Sequence, residues 1–220
     1  TMLGSASLIR RQGHVAVNVL VDALPERLRQ LLLWIRDAIM LSAALHDADA
    51  TVHRLFAVGG AAVAPVAQAF PAAVSDGAVD RRKLGALVFQ DPPALRLLES
   101  IVHPLVRAEA RRFLSRQRRL RREMAVLDVP LLYETGGERL CDRVILITAP
   151  RFLQEQRVLR RPGMTRERLE AILAQQLPDE EKRRRADFIV HSGRSRGHTF
   201  QQLRRIVRQL REEHSERDCC

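Results

Sequence analysis

Residues 124–132, MAVLDVPLL, decide the fold class. The run is short, and apolar at nearly every position rather than at every other one. An alternating strand has one wet face. A strand without alternation is covered on both faces, as in a parallel sheet clothed by helices. Working outward, residues 144–147 (VILI) read as a second buried strand and 187–190 (DFIV) as a short last one. Residues 14–21 (HVAVNVLV) read as the first. Between the strands lie helical patterns. Asp91-Pro92 caps one with Leu95, Leu98, Ile101 and Val102 on a stripe, and Thr165 caps another with Leu169, Ile172 and Leu173. A closing helix over 199–210 carries Leu203, Ile206 and Leu210 on one face. Strands alternating with helices predict an α/β protein: a parallel sheet flanked by helices.

The remaining segments are read by their punctuation. Pro25 opens a helix after the first strand. Leu31 to Leu45 is apolar but contains Arg36 and Asp37, and is too short for the roughly 20 residues of a membrane span. It reads as a buried or partner-facing helix. A helix over 49–58 ends at Gly59-Gly60, a helical pattern covers 61–70, and Ser75-Asp76-Gly77 is a turn. His103-Pro104 is expected to interrupt or kink the long helix after Asp91.

Composition narrows the function. At 220 residues the chain suits one domain, with room for an inserted lobe. A hydrophobic fraction of 46% is that of a globular protein, and a net charge of +11 predicts an anionic partner. One Trp and one Tyr leave few stacking platforms, which weighs against nucleic acid. The dense arginines of 107–122 read first as a solvated face. Cys141, Cys219 and Cys220 form neither a metal-ligand spacing nor a disulfide framework, so a reducing cytoplasm is expected and no metal site is assigned.

His46-Asp47-Ala48-Asp49 places two carboxylates between an apolar run and a helical pattern. A carboxylate at such a junction can accept a proton from a substrate hydroxyl. It can equally cap the helix, and on this pair alone the cap is the more ordinary reading.

Six segments together tip the balance: HDADATVHRL (46–55), RRKLGALVF (81–89), LESIVHPLV (98–106), LDVPLLYE (127–134), RRPGMTRERLEAILAQQLP (160–178) and EKRRRADFIVHSG (181–193). In this order and spacing the chain resembles the dephospho-coenzyme A kinases, a branch of the nucleoside-monophosphate-kinase-like P-loop proteins. The match runs from Leu45 to about Leu210. The resemblance implies a P-loop-kinase-like sheet, a helical acceptor-binding lobe and a small lid at about 157–185. It implies ATP-dependent phosphorylation of the 3′-hydroxyl of dephospho-coenzyme A, with ATP as co-substrate and Mg²⁺ beside it. Asp49 matches the family's catalytic base, and Asp47 an orienter, a contact to Mg²⁺-bound water, or a cap. Arg157 and Arg161 match lid arginines over the ATP phosphates. Lys83, His103, Arg107, Tyr133 and Glu134 fall in motifs lining the acceptor side.

Residues 1–44 depart from the family. No G-x-x-x-x-G-K-[ST] occurs anywhere, and the turn after the first strand, Asp22-Ala23-Leu24, has no glycine. Three readings would account for the sharp edge at Leu45: a shifted coding frame over 1–44, a degenerate and inactive homologue, or ATP held in another way. The expected organisation is an atypical segment over 1–44, a kinase-like domain over 45–213 and a disordered tail over 214–220. Two rivals remain: a non-catalytic binder of the coenzyme A precursor, and a basic protein binding RNA or acidic partners.

Overall fold

The computed structural model describes residues 13–19, 43–89, 91–160, 163–174 and 176–218. The helix expected from Pro25 and most of the 31–45 run lie outside these residues. The chain divides into two compact units: residues 1–46 with 114–220, and residues 47–113.

The first unit is built on the sheet. Its strands are β1 (Gly13–Val19), β2 (Ala43–Asp47), β5 (Met124–Asp128), β6 (Arg143–Thr148) and β7 (Phe188–His191). They lie in the order β2-β5-β1-β6-β7. β1 pairs in parallel with β5 on one side (Val15 opposite Val126) and with β6 on the other (Val19 opposite Ile147). β7 runs parallel to β6, with Ile145 opposite Phe188.

Pleating sends alternate side chains to opposite faces. Met124, Val126, Ile145, Ile147 and Val190 form one buried cluster with Leu203, Ile206 and Leu210. Those three leucine and isoleucine side chains come from α8 (Arg196–Asp218), whose apolar stripe is the one expected. Ala125, Leu127, Val144 and Leu146, on the other face, are just as buried, at 0–5% exposure. Both faces are therefore covered, as the unbroken apolar runs predicted. Val144 packs there with Leu132 and Tyr133, which belong to the segment following β5.

Three helices lie between β6 and β7: α5 (Arg151–Leu159), α6 (Arg166–Ala174) and α7 (Asp179–Arg185). Thr165 caps α6 as expected, its hydroxyl accepting the Arg168 N–H at 3.3 Å. Val158 of α5 and Leu169 of α6 close a small cluster with Leu159, Met164 and Leu173.

The second unit is helical. It contains α1 (Ala48–Phe56), α2 (Val63–Ala69), α3 (Arg81–Val88) and the first part of α4 (Pro92–Arg119). Leu55, Phe56, Val66, Phe70, Leu84 and Val102 share its core. Gly60 is required by close packing, since a methyl group there would lie 2.1 Å from the Leu55 carbonyl oxygen. The turn at 75–77 closes a hairpin of β3 (Val74–Ser75) and β4 (Ala78–Val79). Its central residues Asp76 and Gly77 both have positive φ, 53° and 74°, the geometry of a tight two-residue hairpin turn.

Four boundaries differ from expectation. Residues 43–45 are strand rather than helix, because a short apolar run carries no periodicity that separates the two. β5 stops at Asp128, since Pro130 cannot donate to a sheet ladder. Pro104 does not interrupt α4, where Ile101, Val102, Leu105 and Val106 pack on the core on both sides of the proline. α8 runs to Asp218, into the segment expected as a tail, held in part by a 3.3 Å pair between Arg143 and Glu213.

Candidate active site

The chain runs from β1 to the far edge at β2, returns beside β1 as β5, then crosses to β1's other side as β6. The winding therefore reverses at β1. In open parallel sheets a crevice forms at this switch, outside the carboxyl ends of the strands.

The carboxyl ends of β6 and β7 carry a polar network. The Ser192 hydroxyl and N–H both donate to the Thr148 carbonyl, at 3.1 and 2.8 Å. The buried Thr148 hydroxyl donates to Asp179 Oδ1 at 3.2 Å. Arg183 Nε donates to Asp179 Oδ2 at 2.6 Å. Arg157, in the last turn of α5, donates to the Ser192 carbonyl at 3.3 Å. One of the two expected lid arginines is thus tied to the end of β7. Arg161 lies outside the described residues.

β2 leads directly into α1 through the acidic pair. Asp47 is the N-cap: its Oδ1 accepts the Ala50 N–H at 2.9 Å, and its carbonyl accepts the Thr51 hydroxyl at 2.8 Å. Among the alternatives left open for Asp47, this geometry is the cap. Asp49 is exposed in the first turn of the same helix, where the helix dipole favours a negative charge.

His53 in α1's last turn lies 3.1 Å from Arg81 at the start of α3, which joins the two helices. Asp80 caps α3, accepting the N–H groups of Arg82 and Lys83 at 2.9 and 3.1 Å. The Lys83 N–H bond is the chief reason the Asp80 carboxyl sits below its ordinary pKa. Lys83 Nζ lies 4.0 Å from Asp80 and its side chain is half exposed. His103 and Arg107 stand one turn apart on α4, with Arg107 Nε donating to the His103 carbonyl at 3.4 Å. Partial burial pushes the His103 imidazole pKa down, with Glu99 opposing and Arg107 adding to the effect. His103 is therefore neutral at neutral pH.

Tyr133 and Glu134 turn inward. The Tyr133 ring is buried, the Arg185 guanidinium lies 4.5 Å over it, and burial pushes its hydroxyl up to about 12. Glu134 Oε1 sits 2.8 Å from Lys182 Nζ and accepts the Leu177 N–H at 3.0 Å. Glu134 Oε1 is thus engaged within the sheet unit by both the Lys182 ammonium and the Leu177 backbone. Lys182 has 0% exposure. In the sequence it falls within the family motif at 181–193, where no site role is assigned to it. The signal that could have found it is Glu134 itself, an acid closing a buried apolar run that needs a cation beside it.

The segment expected as a lid, about 157–185, divides in two. α6 is exposed along most of its length, whereas α7 is fastened by Lys182. Among the described residues no group of three or more His, Cys, Asp or Glu side chains converges on a point. Among the described residues no helix is long and apolar enough to cross a membrane.

A parallel sheet of this order, with its winding reversal at β1, defines a P-loop kinase fold. The chain belongs to the dephospho-CoA kinase family, whose model matches residues 36–196. It is 63% identical over 143 residues to a dephospho-CoA kinase of Paramagnetospirillum magneticum, covering 65% of this chain and 68% of that relative. It is 53% identical over 167 residues to one from Mesorhizobium japonicum, covering 76% and 84%. A crystal structure from Thermus thermophilus superposes with a TM-score of 0.69 at 29% identity, covering 93% of this chain and 98% of that one. The dephospho-CoA kinase of Campylobacter jejuni shares the fold, with a TM-score of 0.65 at 22% identity over 92% and 98% of the chains.

Proposed function

We propose that this chain transfers the γ-phosphoryl group of ATP to the 3′-hydroxyl of dephospho-coenzyme A, the last step of coenzyme A synthesis, with Asp49 as general base. The supporting observation is the division of labour in the acidic pair. Asp47 is used by the cap, while Asp49 stands exposed in the first turn of a helix entered straight from a sheet strand. Asp49 takes the proton of the attacking hydroxyl as the phosphoryl group leaves ATP. Arg157, with Arg161, supplies positive charge to the transferring group. Mg²⁺ carried with the nucleotide would neutralise charge on the β- and γ-oxygens. Lys83, neutral His103 and Arg107 bind the acceptor in the helical unit. Both substrates are dissolved in the cytoplasm, and the reading places the chain there.

One observation favours a second reading, acceptor binding without transfer. After Gly13 the next glycine is Gly59, so the residues following β1 contain none to cradle a phosphate. The chain has two lysines, of which Lys182 is buried in an ion pair and Lys83 is on α3. Loss of a single preorganised donor costs a factor of about 10²–10³ in rate, so slow turnover is expected. An ADP-release assay with dephospho-coenzyme A separates the readings. Turnover that disappears in Asp49→Asn supports transfer. Calorimetric binding of the acceptor without binding of ATP supports the second reading.

A further inference from the structure

The hairpin of α5 and α6 leaves the sheet at Pro150 and returns at Leu177. The outgoing side is held near its root, where Gln154 donates to the Ala149 carbonyl at 2.7 Å and Arg157 to the Ser192 carbonyl at 3.3 Å. Among the described residues the returning side is held at Leu177 and, two residues on, at Asp179, which accepts the Thr148 hydroxyl at 3.2 Å. The Leu177 N–H donates to Glu134 at 3.0 Å, and the Leu177 side chain packs on Leu132, Tyr133 and Val144. Glu134 is in turn fixed by Lys182, the most deeply buried charged side chain among the described residues.

A buried ion pair is a poor source of net stability, since desolvating both charges offsets most of their attraction. It is a good source of geometry, because neither partner can move without stranding the other. Here one carboxylate oxygen serves both the lysine and the backbone of the returning chain. α6 then packs through Leu169 and Leu173 on Val158, next in sequence to Arg157.

We propose that Glu134 and Lys182 are positioning residues for phosphoryl transfer. They pin the returning end of the hairpin and so fix the stance of α6 against α5, and with it the guanidinium of Arg157. Neither touches substrate. The assignment rests on the kinase reading for what Arg157 does, but not for the pinning itself.

The test uses the full chain with Glu134→Gln, which keeps the shape and removes the charge. Hydrogen exchange of α6 amides and of the Leu177 amide is expected to quicken about ten- to hundredfold, as follows from weakening a hydrogen bond to a charged group. Protection of β5, β6 and β7 falls by the global stability that the stranded Lys182 costs, and protection of α6 and the Leu177 amide falls beyond that. The KM for ATP rises about tenfold, the equivalent of one such bond, while the KM for dephospho-coenzyme A is unchanged. Lys182→Arg retains the cation and behaves as the parent. If Glu134→Gln does not fold, Glu134→Asp shortens the reach while keeping the charge and carries the same expectation.

Unchanged exchange in α6 and at Leu177 overturns the proposal. So does an equal loss of protection across the three strands, which marks ordinary core stability. Quickened exchange without a shift in the KM for ATP overturns the positioning role. If the parent chain shows no turnover at all, the kinase reading fails and the exchange measurement still decides the pinning.

Discussion

Replacing Lys182 with Met leaves the Glu134 carboxylate inside the protein without its cation. Lys182 is wholly buried and Glu134 has a side-chain exposure of 13%, so water can do little to compensate. Breaking one side of a buried pair typically costs about 3–5 kcal/mol. For a chain of this size each kcal/mol lowers Tm by about 2–4 °C, so a fall of roughly 6–20 °C is expected. The double variant Glu134→Leu/Lys182→Met removes both charges and keeps apolar volume. Only the orphaned Leu177 N–H remains to be charged against it, about 1–3 kcal/mol. The double variant should therefore be more stable than Lys182→Met alone. Urea unfolding with an unchanged m-value measures this directly. An internal comparison is the Arg184–Glu180 pair, 76% and 78% exposed, where Glu180→Ala should change stability by no more than about 1 kcal/mol. Additive single losses in the double variant, or a Lys182→Met chain as stable as the parent, would refute the reasoning.

Asp49→Asn should lower kcat by about 10²–10⁴ in the ADP-release assay and leave the melting curve nearly unchanged. Asp47→Ala should show the reverse weighting: loss of the cap bond to Ala50 costs about 0.5–2 kcal/mol in a denaturant melt, with the chemistry largely retained. The chain's single tyrosine makes its titration readable: tyrosinate absorbance should rise with a midpoint of about 12 rather than the ordinary 10.0. Because the folded state holds that proton more tightly than the unfolded one, Tyr133 contributes stability that is complete below pH 10 and is lost as pH rises toward about 12. The half-buried Cys141 thiol, also raised to about 12, adds a loss that begins near the ordinary thiol value of 9.0. Tyr133→Phe should flatten the alkaline limb of a stability–pH curve in part, and Cys141→Ala should flatten the remainder.

Much of this fold could be read in the sequence because its strands are buried on both faces. Runs such as 144–147 have no competing helical period, and caps such as Asp91, Thr165 and Asp47 announce helix starts through their own hydrogen bonds. The acidic pair could be read as a pair of candidates, but its division into cap and exposed acid could not, since both residues suit either role until a backbone N–H is placed. The Lys182–Glu134 contact was hidden for another reason. Its partners are 48 positions apart and one of them sits among charged neighbours that are exposed. Sequence periodicity reports which face of a helix is apolar, and says nothing of a single cation turned inward to meet a distant acid.

The middle strand of the sheet lies before residue 36, where the match to the family model begins. Its place is held through backbone ladders to β5 and β6, which any extended segment of suitable length can supply. Val19 is in consequence a natural splice point. A glycine-and-lysine turn grafted directly after it would join a ready-made platform, and would show what a few backbone amides there add to turnover.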